Sequence, residues 1–405
     1  MVEGTSARPW ETRFLFRVAP LIFVVTVGIG IFNGFHFVEL SRAVLLTHVH
    51  AGTLGWITIG AFATAFWLVS GSGSGGGQTA RWIAIAMTVA VPLYVLAFAV
   101  NNFVLRAVFG TPVLVIILVM VAYLIGAIRR TGMSVPALGF ILAFTVLVIG
   151  STIGVLYQIQ LAAKNVFLPE NAIAGHAAAQ VGGYLVLFSL SAIEWRLRGA
   201  TKLGIAGGAQ VILLFLGGIL VAAGALFNIL PLLAIFIPLD IIALVIFLIR
   251  IARSALGARW LEASSSRHYA IAVPWVVLNL AVTIYAISIG ITKNDFGAIP
   301  AGLFISADHA IFIGVITNLV FGMMQDFTAG SSRFWPWAEH VVFWVMNLAL
   351  VGFVITLLAQ VQAGEKFFVP FQGLAILVGI VAYSVRLSQA GPGAPEKTPA
   401  AAAAA

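Results

Sequence analysis

Seven histidines carry most of the chemistry this sequence could perform: His36, His48, His50, His176, His268, His309 and His340. Imidazole ligates haem iron and copper. The chain has no cysteine. That excludes disulfides, iron–sulfur clusters, covalently attached c-type haem and thiolate-bound metal. Any redox centre must rest on histidine, methionine, tyrosine or carboxylate. His48 and His50 stand two residues apart, and on a helix such side chains point about 200° apart. They cannot readily share one ion. They can face two centres, one on each side of their helix.

The elements that hold these residues follow from composition. Of 405 residues, 61% are hydrophobic and 8% are charged. Too little polar surface exists to cover a soluble globule. The chain reads as an integral membrane protein, which excludes soluble enzymes and nucleic-acid binders. Twelve apolar runs are long enough to cross a bilayer, at 14–36, 41–70, 81–103, 106–128, 135–160, 171–195, 204–229, 231–251, 269–291, 301–324, 339–361 and 368–386. They are continuous rather than alternating, which excludes a membrane β-barrel. The expected fold is all-α, a polytopic membrane bundle of about twelve helices. The expected organisation is a cytoplasmic N-terminus over 1–13, one transmembrane domain over 14–386 and a disordered cytoplasmic tail over 387–405. The first run is too long for a cleavable signal peptide. The stretch from Gly71 to Gly77 reads as a flexible cytoplasmic loop.

Charge orients the bundle. With the N-terminus inside, 16 of the 21 basic residues fall on the cytoplasmic side, Arg8, Arg333 and Lys397 among them. Arg42, Arg106, Lys164, Lys293 and Lys366 fall outside. This is the positive-inside pattern. It predicts a multi-pass protein of a bacterial-type inner (cytoplasmic) membrane with both termini cytoplasmic. The net charge of +8 then reports topology and contact with the anionic lipid bilayer, not a nucleic-acid partner.

His48 and His50 lie in the second run, His176 in the sixth and His309 in the tenth. All three runs enter from the outer side, which puts the four imidazoles roughly 8–13 Å below the outer ends. His50, His176 and His309 are separated by 126 and 133 residues. Local sequence echoes the spacing. His50-Ala51 leads to Gly55 and His309-Ala310 to Gly314, while His176-Ala177 leads to Gly182, one residue later. A repeat of that length means three four-helix arcs. Gly52, Gly55, Gly175, Gly182 and Gly183 leave low relief beside the histidines. A lone intramembrane histidine is usually a hydrogen-bonded packing residue; four at one depth point to metal ligation. His268 and His340 begin runs on the cytoplasmic side and His36 closes the first run, so these three read as interfacial.

The segment Thr47-His48-Val49-His50-Ala51-Gly52-Thr53-Leu54-Gly55-Trp56 resembles the two-histidine helix of the haem-copper oxidase catalytic subunit, that of the C-type oxidases most closely. Twelve spans in three arcs, with ligands on every fourth helix, also resemble that subunit. There are departures. The two-histidine helix lies in the first arc here and in the last arc of the oxidases. The His-His pair of the oxidase copper site is missing. An early His-x-His with a later His-Ala step is similar to the NnrS family of haem- and copper-containing membrane proteins linked to nitric oxide metabolism.

The resemblance implies cofactors: haem b, one or two, and copper. It implies that His50 and His176 share a bis-His haem b, while His48 shares a second centre, haem or copper, with His309. Arg42, Arg106 and Lys293 become candidate partners for haem propionates. Asp308 becomes a candidate to orient His309 from behind. Gln180 and Tyr184 share the face of His176, and Asp240 is a candidate proton-path carboxyl. Asn101, Asn228, Asn279, Asn318 and Asn347 read as helix-to-helix bonds. No catalytic residue is assigned. The implied function is a haem b-binding membrane redox protein handling electrons with nitric oxide, oxygen or quinol. The electron donor would be quinol or a cytochrome, and a diatomic gas could be a ligand. Two other readings remain open. One is a haem or copper sensor or scavenger without turnover. The other is a secondary transporter, although those usually place polar sites at the midplane between two halves.

Overall fold

A computed structural model describes residues 9–36, 38–70, 77–331 and 335–389. Arg8, Arg333, Lys397, the glycine-rich stretch 71–76 and the tail from 390 onward lie outside the described residues. In hydrocarbon every backbone N–H and C=O must be paired within the chain, and long helices do this. Among the described residues, twelve helices are long and apolar enough to span a membrane. They are α1 (Trp10–Phe35), α2 (Arg42–Ser70), α3 (Gln78–Ala99), α4 (Phe103–Thr131), α5 (Val135–Ala163), α6 (Ala172–Arg198), α7 (Ile205–Phe227), α8 (Leu230–Leu256), α9 (Ser265–Lys293), α10 (Ala301–Phe327), α11 (Ala338–Leu358) and α12 (Gln362–Gln389). Their ends use ordinary signals. Ser41, Asn102 and Ser134 accept a backbone N–H of the first turn of α2, α4 and α5. Lys164, Asn228 and Asn294 close α5, α7 and α9 in the left-handed conformation.

The bundle has inner and outer members. Some 83% of the central stretch of α2 and 67% of that of α10 are buried, against 28% for α4 and α8. Helix α10 touches both α2 and α6. The remaining helices wrap these three, and α12 packs on α1 to close the ring. This leaves three sectors. The first lies between α10 and α2 and holds α11, α12 and α1. The second lies between α2 and α6 and holds α3, α4 and α5. The third lies between α6 and α10 and holds α7, α8 and α9.

At the end away from His48, His50, His176 and His309, buried ion pairs tie neighbours together. Glu194 pairs with Arg250, Glu339 with Arg386, and Arg196 with Asp326 at 2.5 Å. Such pairs make separation costly, because either partner left alone is a buried charge.

All three inner helices change pitch at the same place. Helix α2 is π-helical over Ala51–Thr58, α6 over Ala179–Leu185 and α10 over Ala310–Thr317. Each wide segment starts one to three residues after a histidine. π segments are rare and often mark functional sites.

Candidate functional site

The four imidazoles are held alike. His48 Nδ1 lies 2.8 Å from the Thr26 carbonyl oxygen of α1, and His176 Nδ1 lies 2.7 Å from that of Gly150 in α5. His50 and His309 each bond one turn back in their own helix, to the carbonyls of Leu46 and Ile305, both at 2.8 Å. A carbonyl oxygen can only accept, so Nδ1 carries the proton in all four. Nε2 then keeps its lone pair. This is the state in which a histidine ligates metal, with the other nitrogen fixing tautomer and ring direction.

The free nitrogens belong to two cavities. His50 and His176 line one of about 670 Å³ in the second sector, and His48 and His309 line one of about 380 Å³ in the first. Both volumes fall in the range of small-molecule and cofactor sites. Val49, Thr53, Asp308 and Phe312 line both cavities and form the wall between them.

The larger cavity has a cationic mouth. Arg42 and Arg106 line it, with Gln180 and Tyr184 deeper. Arg106 is only 3% exposed. Its guanidinium donates to the carbonyls of Ala97 and Phe98 and, at 2.7 Å, to Asn101. No described carboxylate pairs with it. Phe98 was not singled out by sequence, yet it stacks on the His50 ring at 3.7 Å between centroids. Arg106 covers Phe98 in turn, at 4.4 Å. Among the described residues no lysine or arginine lines the smaller cavity. Glu365 and Gln372 stand there instead, and Glu365 is paired with His36 at 3.2 Å.

Two glycines admit the rings. A Cβ on Gly154 would lie 2.8 Å from the His176 ring, and one on Gly30 would lie 3.1 Å from the His48 ring. Both glycines sit one turn beyond the carbonyl that anchors the ring. Neither glycine lies on a histidine helix, so the spacing of residues along those helices does not single them out.

Two expectations, for Asp308 and His268, are corrected. Asp308 does not orient His309, because the Ile305 carbonyl occupies Nδ1; Asp308 lines both cavities instead. His268 is not interfacial. It is fully buried, and its Nδ1 bonds to Asn318 at 2.9 Å within a network that includes Asn347 and Trp275. Asp240 is 1% exposed, packs against Gly217 and lines neither cavity. Lys293 lines neither.

The donor set also bears on the kind of metal. Among the described residues no three His, Cys, Asp or Glu side chains cluster closely enough to hold a metal ion. A bare copper or zinc ion asks for about three or four protein donors. A haem brings its own in-plane nitrogens and asks the protein for one or two axial ligands. Two imidazoles per cavity fit haem and do not fit a bare ion held by these residues.

The fold has a counterpart among solved structures. It is similar to a haem-copper terminal oxidase, with a TM-score of 0.65 over 96% of this chain and 85% of that one, at 11% sequence identity. The chain therefore has a haem-copper oxidase-like fold. No protein-family model and no curated protein matches its sequence.

Proposed function

We propose that this chain is a haem b-binding redox protein of the membrane. His50 and His176 would be the axial ligands of one haem b in the larger cavity, and Arg42 and Arg106 would face its propionates. His48 and His309 would serve the second centre. The observation that carries this reading is that all four imidazoles spend Nδ1–H on a backbone carbonyl and keep Nε2 for a ligand. Their likeness in anchoring, depth and pairing is hard to obtain from packing histidines. The buried Arg106 without a carboxylate partner supports it, since a propionate would balance that charge.

When bound, the haem supplies one-electron transfer. The residues of this chain set its surroundings. Arg106 holds positive charge beside the cavity, and Phe98 fixes the plane of the His50 ring. The electron donor is a membrane quinol or a cytochrome. The basic residues orient the chain in a bacterial-type inner membrane with both termini in the cytoplasm.

The test is replacement of His50 or His176 by Ala, followed by reduced-minus-oxidised spectra of the purified protein. The expected result is loss of one b-type haem signal. His268→Ala, which touches neither cavity, should keep the full signal. A full signal in both His50→Ala and His176→Ala would remove the assignment.

A further inference from the structure

The three inner helices align on the point where each becomes π-helical. The wide segment starts at Ala51 in α2, Ala179 in α6 and Ala310 in α10. Counted from there, His48 and His176 both stand three residues upstream, and His50 and His309 both stand one residue upstream. Equating His50 with His176 through their shared His-Ala step is therefore out of register by two residues. The corrected register pairs Gly55 with Gly183, each seven residues after its histidine.

The anchors obey the same register. His48 and His176 occupy the first position, and each bonds to the preceding outer helix with a glycine one turn beyond the carbonyl: Thr26 and Gly30, Gly150 and Gly154. His50 and His309 occupy the second position, and each bonds back within its own helix. Each cavity is bounded by one histidine of each kind. The larger has His50 of α2 and His176 of α6; the smaller has His309 of α10 and His48 of α2. Helix α2 alone fills both positions, and so it serves both.

In the third sector both positions are alanine. Ala178 takes the second position of α6 and Ala307 the first of α10. Ala178 packs on Val221, Leu233, Phe236 and Ile287, and Ala307 packs with Val282, Ala286, Ile299 and Leu303. Asn279 of α9 donates to the Ala307 carbonyl at 2.9 Å and ties the sector shut there. Where a third pair of ligands would face each other, the chain has built core.

We infer that the first and second sectors hold two sites that share one ligand plan and differ in the charge at their edges, so that the chain carries two haems, each held by two imidazoles, and neither has a position open to a diatomic gas. This rests on the haem reading above and goes beyond it. A centre with two protein ligands passes electrons, whereas gas chemistry needs a vacant position. The second centre is thus an electron-transfer site and not a place where oxygen or nitric oxide is reduced.

The experiment uses the full chain, purified in detergent from haem-replete cells. Haem per chain is counted by the pyridine haemochrome method, and carbon monoxide is added to the dithionite-reduced protein. The expected result is two haems per chain and an unchanged Soret band under carbon monoxide. His309→Ala should then let carbon monoxide shift about half of the Soret intensity, because one of two equal centres loses an axial ligand. One haem per chain, or a carbon monoxide shift in the unaltered protein, would overturn the inference while leaving the His50–His176 haem in place. A protein with no haem would overturn both. The unaltered chain alone decides the matter, so it does not depend on the variant folding.

Discussion

Gly154 shows how little room the His176 ring is given. A Cβ there would approach Cε1 and Nδ1 to 2.8 Å, and the ring could escape only by leaving the Gly150 carbonyl. Gly154→Ala should therefore cost about 1–3 kcal/mol as overpacking and empty one haem site. Gly28 makes the control, since a Cβ there meets nothing within 4 Å. Thermal unfolding and the haem spectrum of the two variants check this. Gly28→Ala should match the parent, and Gly154→Ala should show both losses. The same scale explains why Phe98 could not be found from sequence. It is one aromatic among 30 phenylalanines, and only the packing of α3 on α2 sets its ring against His50.

The elements were legible to different degrees. Twelve spans could be read from run length alone, because a bilayer demands about 20 apolar residues per crossing; most helix ends lie close to those of the runs, while more than a full turn at the end of the eighth helix and at the start of the twelfth lies outside them. Four histidines at one depth were legible for the same reason. The π segments were not. An i→i+5 ladder uses the same residue types as an α-helix, and only scattered glycines such as Gly55, Gly183 and Gly314 hint at it. With the pitch unseen, His176 aligned with His50 through a chance alanine. Two threonines show what holds the wide turns: Thr58 and Thr317 each donate to the carbonyl five residues back, at 2.7 and 2.9 Å. Thr317 also accepts the Trp56 indole N–H at 3.0 Å, joining α10 to α2. Thr317→Val should orphan that buried donor and cost about 1–3 kcal/mol. Thermal unfolding in detergent would show it as a lower midpoint, whereas Thr88→Val, on the outer face of α3, should change nothing.

At the scale of the molecule, three arcs share one plan and differ in what they keep. Two sectors have cavities with paired imidazoles, and the third has packed core at the matching positions. Helix α2 stands between the two cavities and presents a histidine to each. A transporter would need its polar groups near the midplane between two halves, but here the paired imidazoles form one layer of two cavities around three inner helices. Haem in this layer is tested most directly by the absorption spectrum of the purified full chain, before and after dithionite. The chain should show a sharp Soret band and, on reduction, a b-type α band. A colourless protein from haem-replete cells would contradict it.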